Sequence, residues 1–193
     1  MSGGKKVEIQ ETGFPGLFII KPAVHGDGRG FFLESWSRRV FAEHGIEVDF
    51  VQDNHARSVK RGVLRGLHFQ APPAAQSKLV RVTRGAVYDV VVDLRVGSPT
   101  YGKWHAETLS EENFLQMFVP KGFAHAYLTL TDEVEFQYKV DAFYSPECDS
   151  GIFWNDPDLG IDWPEQDPIL SDKDTHLQRL RDFASPFRFD AAS

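Results

Sequence analysis

Gly62-Val63-Leu64-Arg65-Gly66-Leu67-His68-Phe69-Gln70 is the stretch whose reading decides the fold. Its apolar and branched residues read as a β-strand. A glycine interrupts it at the middle, and it carries a guanidinium and an imidazole that a plain core strand would not need. Side chains alternate faces along a strand, so Arg65 and His68, three apart, should point to opposite sides. A bulge at Gly66 shifts the phase by one and brings both to the same side. That places a base and a fixed cation in one cavity. The alternative is an edge strand with a solvated arginine and a hydrogen-bonded histidine.

Outward from this stretch, short strand-like runs recur. Upstream they are Val7-Glu8-Ile9, Leu17–Ile20, Phe31–Trp36 and Phe50–His55; downstream they are Lys78–Thr83, Val87–Leu94, Trp104–Thr108, Met117–Val119, Ala124–Leu130 and Val134–Val140. Turn signals separate them, such as Ala71-Pro72-Pro73, Gly97-Ser98-Pro99 and Pro120-Lys121-Gly122, and His25–Gly30 reads as a glycine-rich turn. Ser37 caps a short helix over Arg38 to His44, closed by Gly45. Ser171-Asp172-Lys173-Asp174 opens a second short helix, to about Leu180. Strands at this spacing without intervening helices predict a sandwich or barrel. No repeat, low-complexity tract or linker divides the chain, so residues 1–193 are expected to form one domain, with an N-terminal arm (about 1–13) and a short helical C-terminal segment (about 171–193).

The bulk numbers narrow the function. With 41% hydrophobic and 25% charged residues, the 193-residue chain has the make-up of a globular protein able to bury a core. A formal charge of −7 argues against a general grip on nucleic acid or an anionic membrane. Any anionic ligand must then be held by a local basic cluster. Cys148 is the single cysteine, which rules out an intrachain disulfide and a cysteine metal cage. The start, Met-Ser-Gly-Gly-Lys-Lys, has no apolar signal region, and no apolar run approaches membrane-spanning length. The expectation is a soluble cytoplasmic protein.

Alternation also sorts the polar side chains. Val134, Phe136, Tyr138 and Val140 share the apolar, inner face of their strand, which carries the Tyr138 phenol inward. A buried hydroxyl needs a partner; Tyr138 is either a core tyrosine bonded to backbone or a group in a site. Val87, Asp89, Val91 and Asp93 share one face, and Tyr88, Val90, Val92 and Leu94 the other. Asp89 can orient an imidazole or neutralise a cation; otherwise its face is a solvated exterior. Lys78 shares a face with Val80 and Val82, as a site cation or as a lysine snorkelling at a rim. Asp174 either completes a capping box with Ser171 or hydrogen-bonds a catalytic histidine, and one carboxylate is not expected to do both.

Taken in order, the motifs resemble the dTDP-4-dehydrorhamnose 3,5-epimerases, of the cupin-like jelly-roll class. The resemblance rests on His25-Gly26-Asp27-Gly28-Arg29-Gly30-Phe31-Phe32, Phe50-Val51-Gln52-Asp53-Asn54-His55, Leu64–Gln70, Lys78-Leu79-Val80-Arg81, Pro120-Lys121-Gly122-Phe123-Ala124-His125, Tyr138-Lys139, Tyr144-Ser145-Pro146 and Trp154-Asn155-Asp156-Pro157. It implies a mainly β fold, a cupin-type jelly-roll barrel or sandwich with a few short helices. It also implies epimerisation of dTDP-4-dehydro-6-deoxy-D-glucose to dTDP-4-dehydro-L-rhamnose without a cofactor, by a homodimer.

By the same resemblance His68 falls at the general base, Tyr138 at the general acid, Asp174 at the carboxylate paired with the base, and Lys78 at the cation near the sugar ketone. Arg29, Glu34, Gln52, Asn54, Arg65, His125 and Lys173 fall at nucleotide-sugar contacts, and Tyr144 at the aromatic that stacks on thymine. Asp149 stands where the family is expected to have the longer Glu. Metal-binding cupins use a His-x-His pair, a Glu and a Pro-x-Gly-x-x-His histidine. Pro120-x-Gly122-x-x-His125 fits the last, but His68 is followed two on by Gln70, so no catalytic metal is expected. Rival readings are a 3-only or 5-only epimerase of another dTDP-deoxysugar route, a non-catalytic nucleotide-sugar-binding cupin, and a metal-dependent cupin oxygenase.

Overall fold

The structure, a computed structural model, describes residues 7–190. The outer parts of the expected N-terminal arm (1–6) and C-terminal segment (191–193) lie outside the described residues. The strands are β1 (Glu8–Glu11), β2 (Phe18–Lys21), β3 (Val24–Asp27), β4 (Gly30–Leu33), β5 (Gln52–Ser58), β6 (Leu64–Gln70), β7 (Lys78–Arg84), β8 (Ala86–Asp93), β9 (Trp104–Ser110), β10 (Gln116–Val119), β11 (Phe123–Thr129), β12 (Val134–Val140) and β13 (Asp149–Gly151). Two short helices, α1 (Arg38–Ala42) and α2 (Asp172–Thr175), join them. A six-stranded sheet runs β1-β2-β10-β7-β12-β5, a five-stranded sheet runs β13-β6-β11-β8-β9, and β3 and β4 form a separate hairpin. This is the jelly roll expected.

Three apolar layers hold the sheets. Side chains from both sheets, among them Ile19, Val80, Val87, Val91, Met117, Tyr127 and Phe136, fill the space between them. Ile20, Leu79 and Phe118 on the far side of the six-stranded sheet are covered by Phe41 of α1 and by Ile46. Val90, Val92 and Leu94 on the far side of the five-stranded sheet are covered by Ile152, Trp154, Trp163 and Phe187. β8 is therefore buried on both faces. The solvated exterior considered for its carboxylates is corrected: Asp89 and Asp93 are both fully buried. Asp93 is bound by Arg95, Ser98 and Thr100, and Arg95 lies over the Phe123 and Phe189 rings.

Several boundaries differ from the sequence reading. The expected His25–Gly30 turn is mostly strand, with His25 paired to Phe32 and Gly26 to Phe31, so that only Gly28 and Arg29 turn. α1 stops at Ala42, and the Ser37 side chain makes no capping bond. α2 is one turn long and stops at Thr175, because the chain leaves it to pair Gln178 with Ile152. A single 3₁₀ turn, Leu180–Asp182, follows. β13 was not anticipated; its sequence, Asp-Ser-Gly, has no apolar alternation.

β6 is not an edge strand, since it lies between β13 and β11. Its register carries the expected bulge: His68 pairs with His125 and Arg65 with Tyr127, three steps on β6 against two on β11. Gly66 has φ +133°, and a Cβ there would lie 2.4 Å from Ala126 Cβ and 2.6 Å from the His125 carbonyl. Only glycine lets the two strands approach this closely.

Candidate active site

The bulge does what the sequence reading required of it. Arg65 and His68 line one cleft of about 460 Å³, with Lys78 from β7, His125 and Tyr127 from β11, Phe136 and Tyr138 from β12, and the segment Ile169-Leu170-Ser171 with Asp174. A second chamber of about 190 Å³ is lined by Gln52 and Asn54 of β5, Tyr144, Asp149 and Lys173. His68, Lys78 and Tyr138 line both chambers.

His68 Nε2 and Asp174 Oδ1 are 2.5 Å apart. Asp174 is 2% exposed, and its second oxygen accepts from the Ser171 hydroxyl at 2.8 Å. Ser171 Oγ in turn accepts the Asp174 backbone N–H at 3.3 Å, as a helix cap does. Of the two readings of Asp174, the carboxylate takes the bond to the histidine and, among the described residues, makes no capping-box bond to a backbone N–H. A carboxylate has two oxygens, and here one meets the imidazole while the other accepts the Ser171 hydroxyl; the cap is the Ser171 side chain accepting the Asp174 backbone N–H. Burial pushes the Asp174 carboxyl up, but hydrogen bonds from His68 and Ser171 and the nearby His68 and Lys173 charges outweigh it, so it lies below the ordinary value. An ionised Asp174 keeps the imidazole proton on Nε2 and leaves Nδ1 as the lone-pair nitrogen.

Lys78 is the cation of the junction. Burial pushes its ammonium down to about 8, against the pull of Asp89 and Asp149. Its Nζ lies 6.0 Å from the centre of the Tyr138 ring. Among the described residues no hydrogen bond reaches the Tyr138 hydroxyl, so it is not the backbone-bonded core tyrosine considered above. Burial raises its pKa, partly offset by Arg65. It stays a protonated donor at neutral pH.

Asp89, a possible partner for an imidazole on its sequence, lines neither chamber but is fully buried behind His125. Both its oxygens meet His125 Nε2, at 2.9 and 3.0 Å. Burial raises the Asp89 carboxyl, and the charges of His125 and Lys78 and the His125 hydrogen bond oppose it. Gln70 was overlooked. Its side chain bonds Ser145 N at 2.7 Å and the Ala74 and Phe143 carbonyls, and so holds the loop that presents Tyr144. Tyr144 donates its N–H to Gln52 at 3.1 Å and its hydroxyl to Asp149 at 3.1 Å. Lys173 pairs with Asp149, so the shorter carboxylate anchors a lysine and a tyrosine on the chamber wall.

Two expected contacts lie elsewhere. Arg29 and Glu34 line neither chamber; Arg29 is exposed at the β3–β4 turn and paired with Asp27. Among the described residues no three His, Cys, Asp or Glu side chains converge as metal ligands. His125, the histidine that fits the cupin pattern, has Nε2 committed to Asp89.

A family model described as dTDP-4-dehydrorhamnose 3,5-epimerase matches residues 11–182. The chain belongs to this epimerase family. An epimerase relative from Pseudomonas aeruginosa is 56% identical over 170 residues, covering 87% of this chain and 93% of the relative. Among solved epimerase structures, one from Legionella pneumophila in complex with dTDP-4-keto-L-rhamnose superposes with a TM-score of 0.91 at 44% identity, over 96% of this chain and 100% of that one. Another, from Bacillus anthracis with TDP and pyrophosphate bound, gives 0.89 at 48% identity, over 90% and 99%. No helix among the described residues is long and apolar enough to cross a membrane.

Proposed function

We propose that His68 and Tyr138 exchange protons with the sugar ring of a dTDP-4-keto-6-deoxy sugar from opposite faces. The reaction is epimerisation of dTDP-4-dehydro-6-deoxy-D-glucose at C3 and C5 to dTDP-4-dehydro-L-rhamnose, a step of L-rhamnose biosynthesis. The observation that carries the assignment of roles is the placement of a carboxylate-held imidazole and an unbonded phenol on one cleft.

The C4 ketone acidifies the hydrogens on C3 and C5. His68 takes one proton through Nδ1, and Asp174 stabilises the imidazolium that forms. Negative charge moves to the ketone oxygen, where the Lys78 ammonium stabilises the enolate. Tyr138 returns a proton to the opposite face, inverting the centre. His68 has then gained a proton and Tyr138 has lost one, and both re-equilibrate with water before the next inversion. The scheme calls for no electron transfer and no cofactor. Arg65 meets the pyrophosphate with forked donors, and the second chamber takes the nucleoside, with Tyr144 stacked on the base. His125, Gln52, Asn54 and Lys173 complete the contacts.

A homodimer belongs to the same reading. Phe31 and Phe32 are 62% and 71% exposed on the β3–β4 hairpin, a large apolar pair to leave in water. Arg29 and Glu34 on and beside that hairpin would then reach the cleft of a second copy. Light scattering of the purified protein tests this, and a monomer mass refutes it. A cytoplasmic location fits a lone, unpaired Cys148.

The deciding experiment is turnover in deuterated water. Label is expected at both C3 and C5; label at C3 alone makes the protein a single-site epimerase. His68→Ala is expected to abolish exchange at both carbons, and undiminished exchange removes His68 from its role.

A further inference from the structure

Ser171 does more at the dyad than a helix cap requires. An N-cap serine needs only to accept a backbone N–H, which Ser171 Oγ does at 3.3 Å. The same hydroxyl also spends its proton on Asp174 Oδ2 at 2.8 Å. In a capping box the acidic side chain would reach back to the cap's backbone N–H instead. With Oδ1 on His68 Nε2, both oxygens of a 2%-exposed carboxylate are held. Ser171 is itself firmly placed. Two residues earlier, Ile169 exchanges backbone hydrogen bonds with the chain entering β6: Leu64 N donates to the Ile169 carbonyl at 3.0 Å, and Ile169 N donates to the Gly62 carbonyl at 2.7 Å. The strand that carries His68 therefore also fixes the residue that holds its carboxylate.

We propose that Ser171 is a positioning residue for the general base. Its hydroxyl fixes the rotation of the Asp174 carboxylate so that one oxygen always faces His68 Nε2. That keeps the imidazole proton on Nε2 and the lone pair of Nδ1 turned to substrate. Without the hydroxyl, Oδ2 loses its donor and the carboxylate turns about its last torsion. The Nδ1-protonated tautomer, which has no lone pair to offer substrate, then gains population. The inference rests on His68 being the base.

The test compares Ser171→Gly, Ser171→Thr and His68→Ala in the full chain. Glycine is tolerated at an N-cap and removes the hydroxyl; threonine keeps it. Ser171→Gly is expected to lower kcat at least about tenfold, the loss of a hydrogen bond to a charged group, with KM unchanged. Nitrogen NMR of the His68 imidazole is expected to show the Nδ1-protonated form rising. Ser171→Thr is expected to restore most of the turnover and the Nε2-protonated form. Wild-type kcat in Ser171→Gly overturns the proposal, and so does a fall in kcat with the tautomer unmoved. Exchange surviving in His68→Ala overturns the base assignment and this inference with it. Loss in His68→Ala beside a wild-type Ser171→Gly overturns this inference alone.

Discussion

Replacing Asp174 with asparagine keeps the shape of the dyad and removes its charge. The side chain is buried, whereas His68 is 30% exposed, so an effective dielectric near 20 fits the pair better than that of a dry interior. Unit charges about 4 Å apart then attract by about 4 kcal/mol. In the proposed mechanism the ring begins the reaction neutral and becomes an imidazolium, so most of that attraction appears only as the proton moves. It corresponds to a loss in kcat of roughly 10²–10³-fold. KM should change little, because Asp174 is spent on His68 and Ser171 and makes no contact reserved for the nucleotide. The assay is initial-rate turnover beside deuterium wash-in at C3 and C5, with both exchange rates falling together. Ser171 still caps α2, so the melting temperature should stay near that of the parent. A kcat within about threefold of the parent, a drop of well under 1 kcal/mol, would refute the idea that Asp174 supports the base electrostatically.

Lys78 predicts a basic limb in the pH profile. In the proposed mechanism its ammonium receives the enolate, and burial brings its titration down to about 8. The cation is present below that pH and lost above it, so kcat should fall as pH rises through about 8. Asp89→Asn removes a carboxylate that opposes this shift and should move the limb to lower pH, while a profile flat through this range would show that Lys78 titrates elsewhere or plays no part. Gly66→Ala would set a methyl carbon 2.4 Å from Ala126 Cβ at φ +133°. The expected cost is at least about 3 kcal/mol, seen as a fall in melting temperature of roughly 6–12 °C; calorimetry showing no fall would mean the bulge can relax.

The bulge, the inward Tyr138 and the barrel were legible because period-two alternation is local. β8 shows where that stops. Val87, Asp89, Val91 and Asp93 were grouped correctly, but alternation cannot say which face is interior when both are covered. The second cover comes from Ile152, Trp154 and Trp163, in a stretch that reads only as turns, and from Phe187 in the C-terminal segment. Asp89 lies on the face shared with Val87 and Val91, which packs between the two sheets, so it is the interior face that carries the carboxylate, and its bond to His125 crosses from β8 to β11. β13 escaped notice for a related reason: three polar residues become a strand only because Gln70, Phe69 and His68 offer an edge. Arg29 and Glu34 mark the opposite limit. Motif matching assigns them to the site, yet within this chain the β3–β4 hairpin leaves them outside it.

The two chambers have His68, Lys78 and Tyr138 in common, so on the proposed mechanism whatever grips the far end of a ligand also tethers the near end over the reacting groups. Most of the proposed handholds, from Gln52 to Lys173, belong to the second chamber. A sugar stripped of its nucleotide would reach the same three side chains unanchored, free to tumble between productive and idle poses. Its handicap would then appear in turnover as well as in occupancy.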